Sequence, residues 1–573
     1  MDSFAAAPPG AETAGHKDGS LLQPDTRGIN AFDDDRSLAA LLGLYLAPAD
    51  LATLTPTFHR LGDLIGGRLD ELAHTADRNP PVLHHRDRNG DDRQRIEKHP
   101  AYVEMERIGF GELAMAAMSH RPALGLDKPV PHAAKYAIQY LFAQSEFGLL
   151  CPISMTDALT RTIRRYADPA LVDRYLAGLT AETLEEHIQG AMFMTERAAG
   201  SDVGATVTRA VPDGDGWRLY GDKWFCSNTD AGLALVLARP DGAPPGIKGV
   251  SLFLLPRDLP DGSHNAYRIV RLKDKLGTRS MASGEITLEG AKAWMVGPAG
   301  QGFVQMAEMV NQSRLSNAVR AAGMMRRALR EALTVARGRK AFGRRLIDLP
   351  LQRRQLVKLM LPTEQALSMC LFTADALARA DAGDAEGAAL RRILTPLLKF
   401  RVCRDARKVT GDAMEARGGV GYIEEWIEPR LVRDSHLGSI WEGTSNIVAL
   451  DVLRAARKEH AHAALAASLG ARMAAAGLPE ARRARLTGLV GRAAAAVDAA
   501  AAASPDGDRR ARTVASGLYH AASACLLACD GALLGDPRRT ALADLVIRHK
   551  LTARDPLEAE DGGEAELEEL LLG

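Results

Sequence analysis

The spacing of apolar residues changes twice along this chain. From Arg36 to Thr180 they recur at helical intervals, as in LAALLGLYL, FHRLGDLIGGRLDELAHTA and HAAKYAIQYLFAQSEF. Near Gly190 the pattern shifts to short β-branched or aromatic runs separated by Gly, Pro and Asp: WRLYGDKWF, LALVLARP, GVSLFLLP, YRIVRL and GEITLEGAKAWMV. From Gly302 the helical spacing returns and holds to about Lys458. The order helical, β, helical predicts an α+β architecture of distinct layers rather than one βαβ sheet. The polar stretch NPPVLHHRDRNGDDRQRIEKHPAY, with its Pro-Pro and Asn-Gly pairs, reads as loop.

The same changes suggest domain bounds. Residues 1–35, rich in Ala, Pro, Gly and Asp, read as a flexible tail. Residues 36–185 read as an N-terminal helical domain, 186–300 as a middle β domain and 301–458 as a C-terminal helical domain. Residues 459–554 read as a further helical extension, because runs such as AAAAVDAAAAA favour helix. Residues 555–573 carry eight acids and no base, an acidic tail. Lys plus Arg and Asp plus Glu are both 72, which excludes a globally basic nucleic-acid binder and leaves local patches open. One such patch is the extension, with thirteen basic side chains against eight acidic ones.

Cys151, Cys226, Cys370, Cys403, Cys525 and Cys529 lack metal-ligand spacing and read as buried reduced thiols, so no metal is expected. Cys525 and Cys529, four apart in an apolar run, suit one helix face. The first residues lack the order of a secretory signal, and no run approaches the ~18 apolar residues of a membrane span. A soluble, cytoplasmic protein without a membrane partner is expected.

Five motifs offer chemistry. In FMTERAAGSDV (193–203), Gly200 and Ser201 can present N–H groups and a hydroxyl to an acceptor-rich ring or a phosphate; an ordinary turn before a strand is the alternative. In GDKWFCSN (221–228), Trp224, Phe225 and Ser227 offer an aromatic wall and a hydroxyl, or simply β core. In ARGRKAFGRRL (336–346), Arg339 and Phe342 share a helical face, which also suits a solvated basic helix end. In MEARGGVGY (414–422), Gly418, Gly419 and Gly421 permit close backbone approach or end a helix, but not in dinucleotide spacing. In SIWEGTSNIVALDVLRA (439–455), Glu442 precedes a helix for which Thr444 or Ser445 is a natural N-cap. Desolvation beside Trp441 would raise its pKa toward that of a general base; a partner of the helix dipole is the alternative.

In their order and separation these motifs resemble the acyl-CoA dehydrogenase family across about residues 36–458. They are most similar to its AidB-like branch, flavoproteins associated with the bacterial response to DNA alkylation. LCPISMT, MTERAAGSDV, LPDGSHNA followed by RLKDKLGTRS, and IWEGTSNIVALDVLR carry the closer resemblance, and the helical extension fits it. The resemblance implies an N-terminal helical domain, a middle β-barrel and a C-terminal four-helix bundle. It implies FAD in the cleft between barrel and bundle, completed by a second subunit, in a homotetramer.

By the same resemblance Met194, Thr195, Gly200 and Ser201 lie near the flavin ring. Phe225 and Ser227, standing where Trp and Thr are common, line it, with Ser227 near flavin N5. From the neighbouring subunit Arg339 meets the pyrophosphate and Phe342 packs on the cofactor. Gly418 and Gly419 run beside the adenosine end, and Glu415 replaces a common Gln. Thr444 and Asn446 complete the pyrophosphate and ribityl surroundings. Asn311, where an acid is usual, and Arg314 stand at the CoA-binding positions, and Leu349-Pro350 replaces another common Gln.

The resemblance makes Glu442 the base that takes the α-proton of an acyl-CoA thioester while the β-hydrogen leaves as hydride to the flavin. Hydrogen bonds from the Glu442 N–H and a ribityl hydroxyl would meet the charge developing on the thioester oxygen. Two functions follow. One is oxidation of a short or branched acyl-CoA, with electrons passing to an external acceptor. The other is non-specific binding of double-stranded DNA with little turnover, through Arg454 and the extension's Arg482, Arg483 and Arg485.

Overall fold

The computed structural model describes residues 23–553, 555, 557 and 563–573. Helices α1 (Arg36–Tyr45), α2 (Pro48–Ile65) and α3 (Arg68–Arg78) open the chain. Asp35 caps α1 by accepting from the Leu38 amide at 3.0 Å. Residues 23–35 are therefore not a flexible tail: Ala31 and Phe32 are buried, and Thr26 Oγ1 donates to Glu331 at 2.6 Å. Their polar composition hid two apolar anchors and a cap. Residues 1–22, the rest of that expected tail, lie outside the described residues.

The stretch read as loop contains a hairpin of β1 (Val82–Arg86) and β2 (Asp92–Glu97), with Val82 opposite Glu97. Its Asn-Gly pair makes the turn, Gly90 taking φ 89° as such a turn requires. Helices α4 (Pro100–Glu106), α5 (His132–Phe142), α6 (Leu150–Tyr166) and α7 (Pro169–Leu179) complete the N-terminal domain.

The middle domain runs through β3 (Gly190–Phe193), β4 (Arg209–Asp213), β5 (Gly216–Ser227), β6 (Leu233–Pro240), β7 (Ser251–Pro256), β8 (Tyr267–Leu272) and β9 (Ser283–Val296). Strands β6, β4, β5, β9 and β7 pair in that order and β7 pairs back to β6, closing a barrel. Alternating side chains such as Phe193, Leu219, Val236, Phe253 and Ile286 fill it. The antiparallel pairing of β5 and β9 ends with Ser227 opposite Ser283, which puts two hydroxyls at one rim.

The C-terminal domain packs α8 (Gly302–Gly338), α9 (Pro350–Asp381), α10 (Ala385–Arg417) and α12 (Ser445–Glu459) as a bundle. A short hairpin of β10 (Lys340–Ala341) and β11 (Arg344–Arg345) follows α8, and α11 (Glu428–Gly438) precedes α12. The loop at Gly277–Ser280 joins barrel to bundle: the Thr278 amide donates to Asp434 on α11 at 2.6 Å. Burial pushes the Asp434 carboxyl up to about 7, with Glu146 and Asp77 adding to the rise.

The extension comprises α13 (Ala461–Ala475), α14 (Glu480–Ala502), α15 (Ala511–Leu534), α16 (Pro537–Val546) and α17 (Gly563–Leu572). Residues 506–534 do reach the length and apolarity of a membrane span, contrary to the sequence reading, but 78% of the apolar window is buried. It is the core helix of the extension and packs on α9 and α12. The acidic segment also folds. In α17 Leu571 and Leu572 are buried, Arg538 donates to the Leu571 carbonyl at 2.7 Å, and Arg353 to Glu569 at 2.7 Å. Those two leucines, outnumbered by acids, are what a charge count misses. Residues 554, 556 and 558–562 lie outside the described residues.

A buried ionic network ties the extension to the rest. Glu364 on α9 accepts from Arg326 of α8 at 2.6 Å and from Arg539 of α16 at 3.2 Å. Arg326 also lies 3.0 Å from Asp35, and Arg539 3.3 Å from Asp530 of α15. Arg472 of α13 closes on Asp530 at 3.0 Å.

Candidate active site

Between α11 and α12 the chain turns sharply, with φ 49° at Glu442 and 99° at Gly443. A non-glycine residue in that region costs of order 1–3 kcal/mol and persists only where its surroundings enforce it. Here they do. Ser313 Oγ donates to Glu442 Oε1 at 2.8 Å and Asn317 Nδ2 to Oε2 at 3.4 Å. Arg314 Nε donates to the Glu442 carbonyl at 2.9 Å, and Lys399 Nζ donates to the Gly443 carbonyl. The half-buried carboxylate thus faces α8 rather than the α12 amides, which disfavours the helix-dipole alternative. Thr444 occupies the N-cap position of α12, but its hydroxyl makes no cap bond. Among the described residues the Glu442 N–H has no backbone acceptor.

Trp441 stacks on Phe147 with centroids 5.7 Å apart, and the Arg320 guanidinium lies 5.0 Å from each ring. Cys151 borders this group. Burial pushes its thiol up to about 11 and Glu442 adds to the rise, while Arg320 and Lys275 oppose it.

Trp224 N donates to the Thr195 carbonyl at 2.8 Å, and Lys223 reaches the Met194 carbonyl at 3.4 Å. Lys223 also pairs with Glu196 at 2.6 Å in full burial. Burial alone would raise the Glu196 carboxyl; the Lys223 ammonium more than reverses it. This pin fixes the FMTERAAGSDV loop to the GDKWFCSN strand. Gly200 and Ser201 sit exposed on the loop, and a Cβ at Gly200 would meet nothing within 4 Å. Phe225 projects from β5 at 58% exposure. Ser227 Oγ lies 3.5 Å from Ser283 Oγ, which accepts from Lys275 Nζ at 3.2 Å. Burial pulls Lys275 down to about 8 against the opposing charges of Cys151, Asp434 and Glu146. Ser227, Ser283 and Lys275 thus form one polar run, and Arg320, Glu442 and Lys275 all act electrostatically on the Cys151 thiol.

Three family models match the chain in the order of its domains. Residues 22–186 match the adaptive response protein AidB N-terminal domain, 191–291 the acyl-CoA dehydrogenase middle domain and 300–456 the acyl-CoA dehydrogenase C-terminal domain. The chain is 38% identical over 452 residues to the putative acyl-CoA dehydrogenase AidB of Escherichia coli, covering 77% of each. It belongs to the acyl-CoA dehydrogenase family, in the AidB-like branch. Acyl-CoA dehydrogenase family member 11 of Caenorhabditis elegans is 32% identical, over 76% of this chain and 72% of the relative. The crystal structure of C. elegans ACDH-11 in complex with C11-CoA superposes with a TM-score of 0.84 at 28% identity, covering 93% of this chain and 92% of that one. The protein is thus an acyl-CoA dehydrogenase-like oxidoreductase with the family's helical, barrel and bundle domains.

Within this acyl-CoA dehydrogenase fold the remaining expected residues fall into separate groups. Arg339 Nη1 lies 3.5 Å from the Arg417 carbonyl and beside Gly418, which has φ 80°. Phe342, at the tip of the β10–β11 hairpin, is 93% exposed, and Glu415 and Gly419 are exposed near the end of α10. At 1.5 Å per residue, Arg339 lies about 33 Å along α8 from Asn317. This group therefore cannot reach the Glu442 turn of its own chain. Thr444 and Asn446 are exposed beside that turn.

Arg314, read as a CoA-binding residue, is occupied in holding the Glu442 carbonyl and Asp451, the latter at 2.7 Å; Asn311 flanks it at 3.4 Å. Arg454 is half exposed, 3.6 Å from the same Asp451. Arg482 pairs with Asp544 at 3.1 Å and Arg483 with Glu480, while Arg485 is exposed. Sequence reasoning missed Ser313, Asn317, Arg320, Lys399 and Lys223. Their polar side chains at i, i+4 and i+7, on one face of α8, were the available signal for the first three.

Proposed function

We propose that the protein is an FAD-dependent acyl-CoA dehydrogenase in which Glu442 removes the α-proton of a short or branched acyl-CoA. The observation that carries this is the Glu442 carboxylate, held toward α8 by Ser313 and Asn317 at the strained turn before α12. The barrel-rim residues fit a flavin: an exposed Phe225, the loosely held Ser227 hydroxyl and an open Gly200. Met194, Thr195, Gly200, Ser201, Phe225, Ser227, Thr444 and Asn446 would hold FAD from one subunit. Arg339, Phe342, Glu415, Gly418 and Gly419 would meet the cofactor of a neighbouring subunit. Their distance from the Glu442 turn supports that division, and a homotetramer is part of the same proposal.

FAD, when bound, supplies the acceptor for the β-hydride, and an external acceptor takes the electrons onward. Ser313 and Asn317 aim the carboxylate, Arg314 and Lys399 fix its turn, and the Glu442 N–H is available to the thioester oxygen. The C11-CoA in the C. elegans structure supports an acyl-CoA ligand. Six buried free cysteines support work in the cytoplasm. The purified protein is expected to show a flavin spectrum that an acyl-CoA panel bleaches anaerobically; no bleaching at saturating thioester defeats the proposal.

A second function, non-specific binding of duplex DNA, has the exposed Arg485 and half-exposed Arg454 in its favour. Acid partners already occupy Arg482 and Arg483. DNA retention should weaken steeply with salt and fall when Arg485 and Arg454 become Ala. Retention indifferent to both changes would remove this reading.

A further inference from the structure

Arg320 has no exposed surface and, with Arg417 and Arg539, is among the largest fully buried side chains of the described residues. Its Nε donates to the Ser316 carbonyl one turn back at 3.3 Å. Its Nη1 and Nη2, both buried, have no partner among the described residues. The rings of Phe147 and Trp441 flank the guanidinium and supply cation–π attraction, but no counter-charge. Cys151 offers only a thiol, a weak acceptor. The indole N–H of Trp441, at the same spot, is also unpartnered. Apart from that thiol, which bonds weakly to Arg320, the three buried donor nitrogens on these two side chains lack an acceptor. A buried charge left this way is strongly destabilising unless an anion completes it.

The position of this group says what the anion is attached to. Ser313, Asn317 and Arg320 follow one another at i, i+4 and i+7 on the same face of α8. The first two hold the Glu442 carboxylate. Arg320 lies one turn further, about 4.5 Å along the helix from Asn317. We propose that Arg320 and the Trp441 N–H form a receptor for a carboxylate at the far end of the acyl chain. The substrate is then a CoA thioester of a short dicarboxylic acid of four or five carbons. In such a thioester only two or three bonds separate the α-carbon, placed at Glu442, from the terminal carboxylate, which puts both ends within reach of side chains on neighbouring turns of α8. Both oxygens of a carboxylate can be met by a guanidinium fork, with an oxygen also open to the indole N–H. A purely hydrocarbon acyl chain would leave all three donors unpaired. This deepens the acyl-CoA reading above and rests on it.

The test titrates the flavin-loaded full-length protein with glutaryl-CoA and with valeryl-CoA, its five-carbon counterpart lacking the carboxylate. Binding is read by calorimetry and turnover by bleaching. Glutaryl-CoA is expected to bind at least about tenfold more tightly, and Arg320→Met to abolish that preference. If the unaltered protein binds valeryl-CoA as well as glutaryl-CoA, the dicarboxylate receptor is overturned and the acyl-CoA reading survives. If neither ester binds or bleaches, both are overturned. A preference that persists in Arg320→Met also overturns the assignment to Arg320. Should that variant fail to fold, the comparison of esters on the unaltered protein decides alone.

Discussion

Glu442→Gln is expected to slow acyl-CoA reduction of the flavin by a factor of about 10²–10⁴ while leaving flavin content and thermal stability near those of the unaltered protein. Gln matches Glu in shape, and its amide oxygen can still accept from Ser313. The carbonyl anchors from Arg314 and Lys399 are untouched, because they grip the backbone rather than the side chain. What disappears is a group that can take a proton. Stopped-flow reduction at saturating thioester measures the effect directly. Reduction within a few-fold of the parent rate would mean that another residue is the base. A loss of flavin would mean instead that the turn at φ 49° had collapsed.

Glu364→Gln is expected to destabilise the protein by about 3–5 kcal/mol, the scale seen when one member of a buried ion pair is removed. Glu364 stands between two guanidiniums, Arg326 at 2.6 Å and Arg539 at 3.2 Å, and all three groups are buried. An amide leaves both cations short of charge. The effect also has a pH signature. Burial alone would raise the Glu364 carboxyl, but Arg326 and Arg539 outweigh it and hold the pKa below its ordinary value. A carboxyl depressed in the folded state contributes stability above its unfolded pKa and loses it as pH falls through the folded value. The gap between the two proteins should therefore be widest near neutrality and narrow on acidification. Thermal midpoints at one scan rate across that range provide the measurement; a gap that ignores pH would place the effect in packing rather than charge.

The layer order was legible because periodicity is local: a helix in FHRLGDLIGGRLDELAHTA and a strand in WRLYGDKWF need no knowledge of their neighbours. Glu442 was singled out for another reason, its place in the sequence of motifs that the family shares. The residues that aim it were not. Ser313 meets Glu442 across 129 positions and Lys399 meets Gly443 across 44, and no spacing rule connects them. Helical geometry does put Ser313, Asn317 and Arg320 on one face, but only the packed bundle shows what that face confronts. Residues 23–35 were misread for the same reason. Their polar composition is real, yet Ala31 and Phe32 gain burial and Thr26 gains Glu331 only once α2 and α8 are in place. In the β1–β2 hairpin the Asn-Gly signal was present, and flanking charges on two exposed strands masked it.

The joint at Lys458 looks like a seam in the sequence, where one helical region yields to another of different composition. Inside the molecule it is no seam. Gln365 on α9 donates to Ser523 of α15 at 2.6 Å, and Ser368 to Asp530 at 2.8 Å, both in full burial. A gene cut at that point would strip the lid from a polar interior. The segment after it is better regarded as an inner wall of the bundle than as a detachable module, and swapping it between relatives would require carrying the facing side chains of α9 along with it.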